Sequence, residues 1–295
     1  MHSLFMGVGK MGLPMARHLQ AGGHAVHVTD LDAGRLQLAR EAGLTVAQDV
    51  TADLGRVSRV FSSLPHDQAL LAVADQVVAH ARADTVWIDT STVSMAVSAQ
   101  AAQRCLAAGI RYLRVTVSGN NHMAESAQLT VLASGARADY DELLAALQCW
   151  GPNQFYLGEA EQARLMKLVI NLMIAQTSAM LAEAMTLGRQ GGLDWQTLWQ
   201  VVGSSAVASP IMKAKSQQLG RALGERDFSP TFTVHQMLKD IGLIMQAGAD
   251  LHVPLTQTGQ TQQWMQAAVA QGDGELDYAA IFRVVERAAG LSGEA

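Results

Sequence analysis

Cysteine and charge are both scarce in this chain of 295 residues. The two cysteines, Cys105 and Cys149, are too few for a disulfide framework and lie in no C-x-x-C pair, so a reducing, cytoplasmic setting is expected. Charged residues make up only 16% of the chain against 49% hydrophobic, a balance that supports large buried cores and excludes a disordered polyelectrolyte. No basic stripe is present: apart from Lys213, Lys215 and Arg221, the basic residues are scattered singly. Their total of 21 against 26 acidic residues leaves a net charge of −5. A surface that tracks nucleic-acid phosphates is therefore excluded.

Nine histidines include no H-E-x-x-H and no Cys/His cluster, so no metal is expected. Long uninterrupted apolar runs are lacking as well. Gly7, Gly9, Lys10 and Gly12 break the N-terminal run almost at once, which speaks against a signal peptide. The most apolar later stretch, Leu165 to Met185, carries Lys167, Asn171, Gln176, Ser178 and Glu183, too many polar groups for a lipid-facing span. It reads as a buried helix, and no membrane partner is expected.

What the chain does have is alternation. A short apolar run, Ser3 to Val8, passes through a glycine cluster into a helical pattern, Leu13 to Ala21, and then a second apolar run, Ala25 to Val28. Helical patterns at Ala33 to Ala42 and Asp67 to Ala81, with strands at Val57 to Ser63 and Thr85 to Asp89, continue the pattern; strands at Ile110 to Val117 and Leu129 to Ala133 extend it. Such alternation predicts an α/β fold with a Rossmann-type, doubly wound parallel sheet covered on both faces. After Gly158 the texture becomes Ala, Leu, Met and Gln in long runs, which predicts a second, all-α domain. A long helix over about Ala163 to Gln190 opens it, and the Gln-rich stretch Gln257 to Gln271 looks like an amphipathic helix. The expected domains are residues 1–162 and 163–295.

Phe5-Met6-Gly7-Val8-Gly9-Lys10-Met11-Gly12 places G-x-G-x-x-G directly after a predicted strand and directly before a predicted helix. In that context Gly7 permits the tight turn, Gly9 lets backbone approach a pyrophosphate, and Gly12 lets helix pack on strand, so a dinucleotide site is favoured over an ordinary glycine turn. Asp30 follows the second strand, about twenty residues on, where a carboxylate can accept from a ribose hydroxyl; otherwise it starts a turn or caps the next helix. NAD is expected rather than NADP, because Asp30 would repel a 2′-phosphate. The neighbour is Leu31, and Arg35 is the nearest arginine. NADP stays open.

Within the apolar run Leu165 to Ile174, Lys167 and Asn171 are the strongly polar residues, and their i, i+4 spacing puts them on one helical face. An ammonium on such a surface either faces a cleft, where desolvation lowers its pKa toward a range useful for proton transfer, or snorkels to solvent at a helix end. The pattern leaves both open. Ser118 has no nucleophile-elbow context, so serine hydrolysis is unsupported.

Together these segments resemble the β-hydroxyacid dehydrogenases, the group of 3-hydroxyisobutyrate dehydrogenase and tartronate semialdehyde reductase, over almost the whole chain. The residues Phe5 through Ala16, including Met11, Pro14 and Met15, are similar to that family's extended cofactor signature. Leu64-Pro65 and Asp89-Thr90-Ser91-Thr92 resemble its cofactor loops, and Val117-Ser118-Gly119 its substrate loop. Lys167 with Asn171 resembles its catalytic helix, and Phe232 through Lys239-Asp240 its C-terminal lysine motif.

The resemblance implies an NAD(P)-linked oxidoreductase acting on a small β-hydroxy acid or its semialdehyde. Val8, Lys10, Met11, Leu64, Pro65, Ser91, Thr92 and Lys239 would join the glycines and Asp30 around the cofactor. Lys167 would be the general acid/base and Asn171 would orient the substrate, whose carboxylate would be held by Ser118 and backbone N–H groups at Gly119. A homodimer or homotetramer is expected from the apolar helical half.

Departures cluster where substrate would sit. Arg114 through Asn120 stands where the family usually reads Asp-Ala-Pro-Val-Ser-Gly-Gly, so Asn120 replaces a glycine and adds an amide. Asn121 and His122 add polar bulk, which makes Asn120 and His122 candidate substrate contacts, and Met95 stands where a proline is common. These changes leave the substrate open and leave room for an imine or aldehyde reductase of the same superfamily. A nucleotide-binding regulator that has lost turnover is a further alternative, against which the retained Lys167 argues.

Overall fold

Along the first strand, β1 (His2–Met6), Leu4 and Met6 enter one hydrophobic core while Phe5 enters another. The same period-two alternation divides Val60 from Phe61 and Trp87 from Ile88, as required of a sheet with apolar cover on both faces. This is the arrangement found in a computed structural model, which describes residues 2–291. The first residue and the last four of the expected domains lie outside the described residues.

From β1 the chain continues through α1 (Gly12–Ala21), β2 (Ala25–Thr29), α2 (Ala33–Glu41), β3 (Thr45–Val46), α3 (Val50–Leu54), β4 (Arg59–Ser62), α4 (Asp67–His80) and β5 (Val86–Asp89). It then forms α5 (Met95–Ala107), β6 (Arg111–Ser118), α6 (Asn121–Glu125), β7 (Thr130–Ser134), α7 (Arg137–Leu147) and β8 (Asn153–Tyr156). The sheet order is β3-β2-β1-β4-β5-β6-β7-β8. Chain order reverses between β1 and β4, which makes their junction the topological switch point of a doubly wound fold. Helices α1, α2 and α7 cover one face with Met15, Leu19, Ala39 and Leu143, and α3, α4 and α5 cover the other with Leu54, Leu70, Val77 and Cys105.

The sheet is parallel through β6, as the alternation predicts. β7 then pairs antiparallel to β6, and β8 runs parallel to β7. Residues 119–129 explain the reversal: they hold only the five-residue α6, too little for the crossover of a dozen or more residues that a parallel return needs. The link from β7 to β8 contains α7 and restores a parallel step. β3 and β8 escape sequence reading because one has two residues and the other is Asn-Gln-Phe-Tyr, with no apolar alternation.

The later helices are α8 (Gln162–Gln190), α9 (Trp195–Gly203), α10 (Pro210–Leu219), α11 (Val234–Asp250), α12 (Thr256–Ala270) and α13 (Ile281–Ala288). At 1.5 Å per residue α8 is about 43 Å long. By length and composition alone it could cross a membrane. Its Ala175, Leu181, Ala182 and Met185, however, are buried in a core with Trp195, Trp199, Met237, Ile241, Met265 and Phe282. The chain divides into two compact units, Met1–Lys167 and Leu168–Ala295, so the division falls inside α8 rather than at its start. The first turn of α8 is bonded to the sheet: Ala163 donates to Ser134 Oγ at 3.1 Å, and Thr116 Oγ1 donates to the Ala163 carbonyl at 3.0 Å.

Candidate active site

Strand register assembles the first part of the site. Ser62 on β4 is level with Met6 on β1 and with Asp89 on β5, so the loops after these three strands emerge side by side at the switch point. Ser63 N–H donates to the Met6 carbonyl at 3.0 Å and Thr90 N–H to the Ser62 carbonyl at 2.8 Å, fixing the loops level.

The three glycines of the first loop differ in why they are glycine. Gly7 has φ +92°, and a Cβ there would lie 2.4 Å from the Ser63 carbonyl oxygen; a Cβ on Gly12 would lie 2.0 Å from the Gly7 oxygen. Both are demanded by the fold itself. At Gly9 the nearest atom to a built Cβ is Arg35 Nη1 at 3.6 Å, an ordinary contact. Packing does not require glycine there, whereas close approach of a pyrophosphate to the backbone does. α1 begins without a side-chain cap, while Asp32, His66 and Ser94 cap α2, α4 and α5. In its first turn Leu13 N–H is taken by the Gly9 carbonyl at 3.0 Å and Pro14 has none, which leaves the Gly12 N–H for an anion. The chain's residues fit a dinucleotide.

Val8 is buried, and its N–H donates to Asp30 Oδ2 at 2.8 Å, which ties the glycine turn to the end of β2. Asp30 Oδ1 accepts from Asp32 N–H at 2.9 Å, and Arg35 Nη1 lies 3.6 Å from Oδ2. Lys10 is exposed and Met11 half-buried at the start of α1. Leu64 N–H donates to Ser91 Oγ at 2.8 Å, joining two of the predicted cofactor loops; Leu64 and Thr92 are half-buried, Pro65 exposed and Ser91 buried.

Ser118 ends β6, half-buried, and Gly119 follows with φ +144°, where a Cβ would press 2.7 Å from Leu129 Cδ2. Asn120 turns its side-chain oxygen onto Met123 N–H at 3.0 Å, so it caps α6, a local role that leaves its NH₂ available. His122 lies on α6 rather than in a loop, with a solvent-exposed ring 3.9 Å from Glu125.

Lys167 is half-buried on α8, one turn before Asn171, which is buried. In the second unit Asn171 Nδ2 donates to Asp240 Oδ2. Lys239 Nζ lies 2.8 Å from Asp240 Oδ1, an ion pair.

One further residue was not foreseen. Arg164, in the first turn of α8, is fully buried and pairs with the fully buried Asp89. Burial opposes the guanidinium charge, yet the Asp89 carboxylate and the Tyr112 hydroxyl hold its pKa above the ordinary arginine value. Asp89 was visible as part of a loop motif, but nothing local marks its partner. The one signal was a lone arginine set among Ala163, Leu165 and Met166.

A doubly wound sheet with a glycine turn at its switch point and a carboxylate after β2 defines a dinucleotide-binding fold. Comparison with known proteins narrows the class. Residues 4–158 match the family described as the NAD binding domain of 6-phosphogluconate dehydrogenase, and residues 162–285 that described as NAD-binding of NADP-dependent 3-hydroxyisobutyrate dehydrogenase. The chain belongs to the β-hydroxyacid dehydrogenase superfamily, whose oxidoreductases use NAD(P) on small substrates. It is 29% identical to 2-(hydroxymethyl)glutarate dehydrogenase of Eubacterium barkeri, over 98% of this chain and 96% of that one. To mitochondrial 3-hydroxyisobutyrate dehydrogenase of Drosophila melanogaster it is 28% identical, over 96% and 89%. Mycobacterium tuberculosis 3-hydroxyisobutyrate dehydrogenase, solved with L-serine, superposes with a TM-score of 0.87 at 24% identity over 96% and 98%, a likeness of fold.

Proposed function

We propose that this protein interconverts a small β-hydroxy acid and its semialdehyde or keto form, with NAD preferred to NADP. A bound nicotinamide would supply or accept the hydride. The Lys167 ammonium would give a proton to the carbonyl oxygen in reduction and take it back in oxidation. Ser118 and the N–H groups around Gly119 would hold the substrate carboxylate, with Asn120 and His122 as additional contacts, and Asn171 would orient the substrate. Lys239 would approach the cofactor. The preference for NAD rests on Asp30, whose carboxylate would accept from a ribose hydroxyl and repel a 2′-phosphate.

The observation that carries this proposal is the attachment of α8: Arg164, in the turn before Lys167, is bonded to Asp89 and Ser91, beside the glycine turn. A general acid must be fixed relative to the reacting atoms before its pKa matters. The two relatives named above support the substrate class, since each name denotes a dehydrogenase of a hydroxy acid.

The test is a panel of 3-hydroxyisobutyrate, 2-(hydroxymethyl)glutarate, L-serine and short semialdehydes, offered with each dinucleotide while absorbance of the reduced form is followed. Turnover of a hydroxy acid or semialdehyde, faster with NAD(H), is expected. Silence across the panel would refute the proposal.

A homodimer is part of the same proposal. Met166, Val169, Met173, Met180 and Leu187 form an exposed apolar row along α8 that a second copy would cover, and sedimentation as a monomer would exclude it. Two free cysteines suit a cytoplasmic enzyme.

A further inference from the structure

One guanidinium at the start of α8 reaches four other parts of the first unit. Arg164 Nε donates to Ser98 Oγ of α5 at 3.2 Å, Nη1 to the Ser91 carbonyl, and Nη2 both to Asp89 at the end of β5 and to Tyr112 Oη of β6 at 3.1 Å. Asp89 Oδ1 accepts from Ser62 Oγ at 2.5 Å and from Ser91 Oγ at 2.6 Å. Ser91 Oγ in turn accepts from Leu64 N–H at 2.8 Å. An unbroken chain of charged and polar bonds therefore runs from the first turn of α8 through Asp89 and Ser91 to Leu64.

Stability alone does not explain burying a full ion pair here, since apolar side chains of similar volume commonly serve a core as well or better. Fixed geometry does: a planar fork with five donors holds several acceptors in one arrangement, which neither a lysine nor an apolar residue can do. The other bonds described above from this turn, those of Ala163, lead to Thr116 and Ser134 on β6 and β7. Arg164 ties α8 to the loops at Leu64 and Ser91.

We propose that the Asp89–Arg164 pair is a positioning element that holds Lys167 in register with the dinucleotide loops, so that proton donor and cofactor seat move as one body. The proposal rests on the acid/base role given to Lys167, which lies less than one helical turn beyond Arg164 and shifts rigidly with it. A displacement near 1 Å would be felt mainly in the chemical step.

Two variants test it, Arg164→Lys, and the double substitution Asp89→Leu with Arg164→Met, which removes both charges and keeps the core apolar. Both leave buried polar groups short of a partner and are expected to melt a few degrees below wild type while staying folded at the assay temperature, and to bind NADH within about threefold of wild type. On the panel compound that wild type turns over fastest, kcat should fall about tenfold or more with KM changed less than about threefold. Amide hydrogen exchange should quicken together in residues 64–65, 91–93 and 164–168. The idea is overturned by kcat within about twofold of wild type, by a kcat loss matched by an equal loss of NADH affinity or folded fraction, or by exchange that quickens in one segment alone. If the double variant does not fold, Arg164→Lys decides. If wild type is silent on the whole panel, the hydroxy-acid proposal has failed separately; joint or separate quickening of exchange then upholds or refutes the coupling.

Discussion

Asn171 donates its side-chain amide to Asp240, and both residues are buried in the second unit. With that hydrogen taken, the orientation of the carboxamide is fixed, as the proposed substrate role requires. Asp240→Ala removes the acceptor and leaves a buried amide unpaired. The expected result is kcat/KM lower by about 10- to 100-fold, measured by initial rates at saturating NADH, since Asp240 also pairs with Lys239 and its loss shifts dinucleotide affinity as well. Unchanged kcat/KM would show that Asn171 is not held for catalysis.

Lys167→Ala should lower turnover by about 100-fold or more while sparing dinucleotide affinity, because the substitution removes a proton donor rather than a binding surface. Lys167→Arg should not restore activity, since a guanidinium does not release its proton near neutral pH. Near-normal initial rates in either variant would remove Lys167 from its proposed role.

Two glycines of the same motif should respond oppositely. Gly9→Ala meets nothing nearer than Arg35 at 3.6 Å, so urea unfolding should shift by less than about 0.5 kcal/mol while NADH affinity drops about tenfold or more. Gly12→Ala drives a Cβ to 2.0 Å from the Gly7 oxygen, and the protein should be grossly destabilised before binding is considered. Equal destabilisation of both variants would mean that Gly9 also serves packing.

In the proposed preference for NAD, Asp30 acts through its charge; its side chain also receives the Val8 N–H on Oδ2 and the Asp32 N–H on Oδ1. Asp30→Asn keeps an acceptor for one of those two bonds, sets an NH₂ against the other N–H, and removes the charge facing a 2′-phosphate. The ratio of NADH to NADPH efficiency should fall by about tenfold, from the loss of one charge–charge repulsion in a half-buried site. A ratio that does not move would place the selectivity elsewhere.

Burial pushes the Cys105 thiol up to about 12 from an ordinary 9.0, against a smaller opposing influence of Arg114. A raised folded pKa means that the neutral thiol is the form the core accepts. The stability this contributes is fully present below pH 9.0 and is lost as pH rises toward 12, because the unfolded chain ionises first. Urea midpoints compared at about pH 8 and about pH 10.5 should therefore fall more in wild type than in Cys105→Ala; equal falls would contradict the burial.

The local parts of the site were legible in the sequence because their causes are local. Gly7 and Gly12 are set by a positive φ and a close approach inside one turn, and the spacing of Lys167 and Asn171 is helical geometry. Asn120 was only half legible: its identity showed, but its oxygen caps the helix that follows it. β3 and β8 were not legible, since strands of two and four residues exist only through their neighbours. The reversal at β7 depends on how short the link after Ser118 is in space, which apolar patterning does not state.

By itself, then, the sequence determined what period and composition can specify: alternating strands and helices, a glycine turn before α1, a long apolar helix with two polar residues on one face. The tertiary structure alone decided which distant groups share a hydrogen bond. Asp89 and Arg164, and Asn171 and Asp240, are far apart along the chain. Each pair exists because burial denies a charge or an amide any water and leaves it only the partner that folding brings within reach.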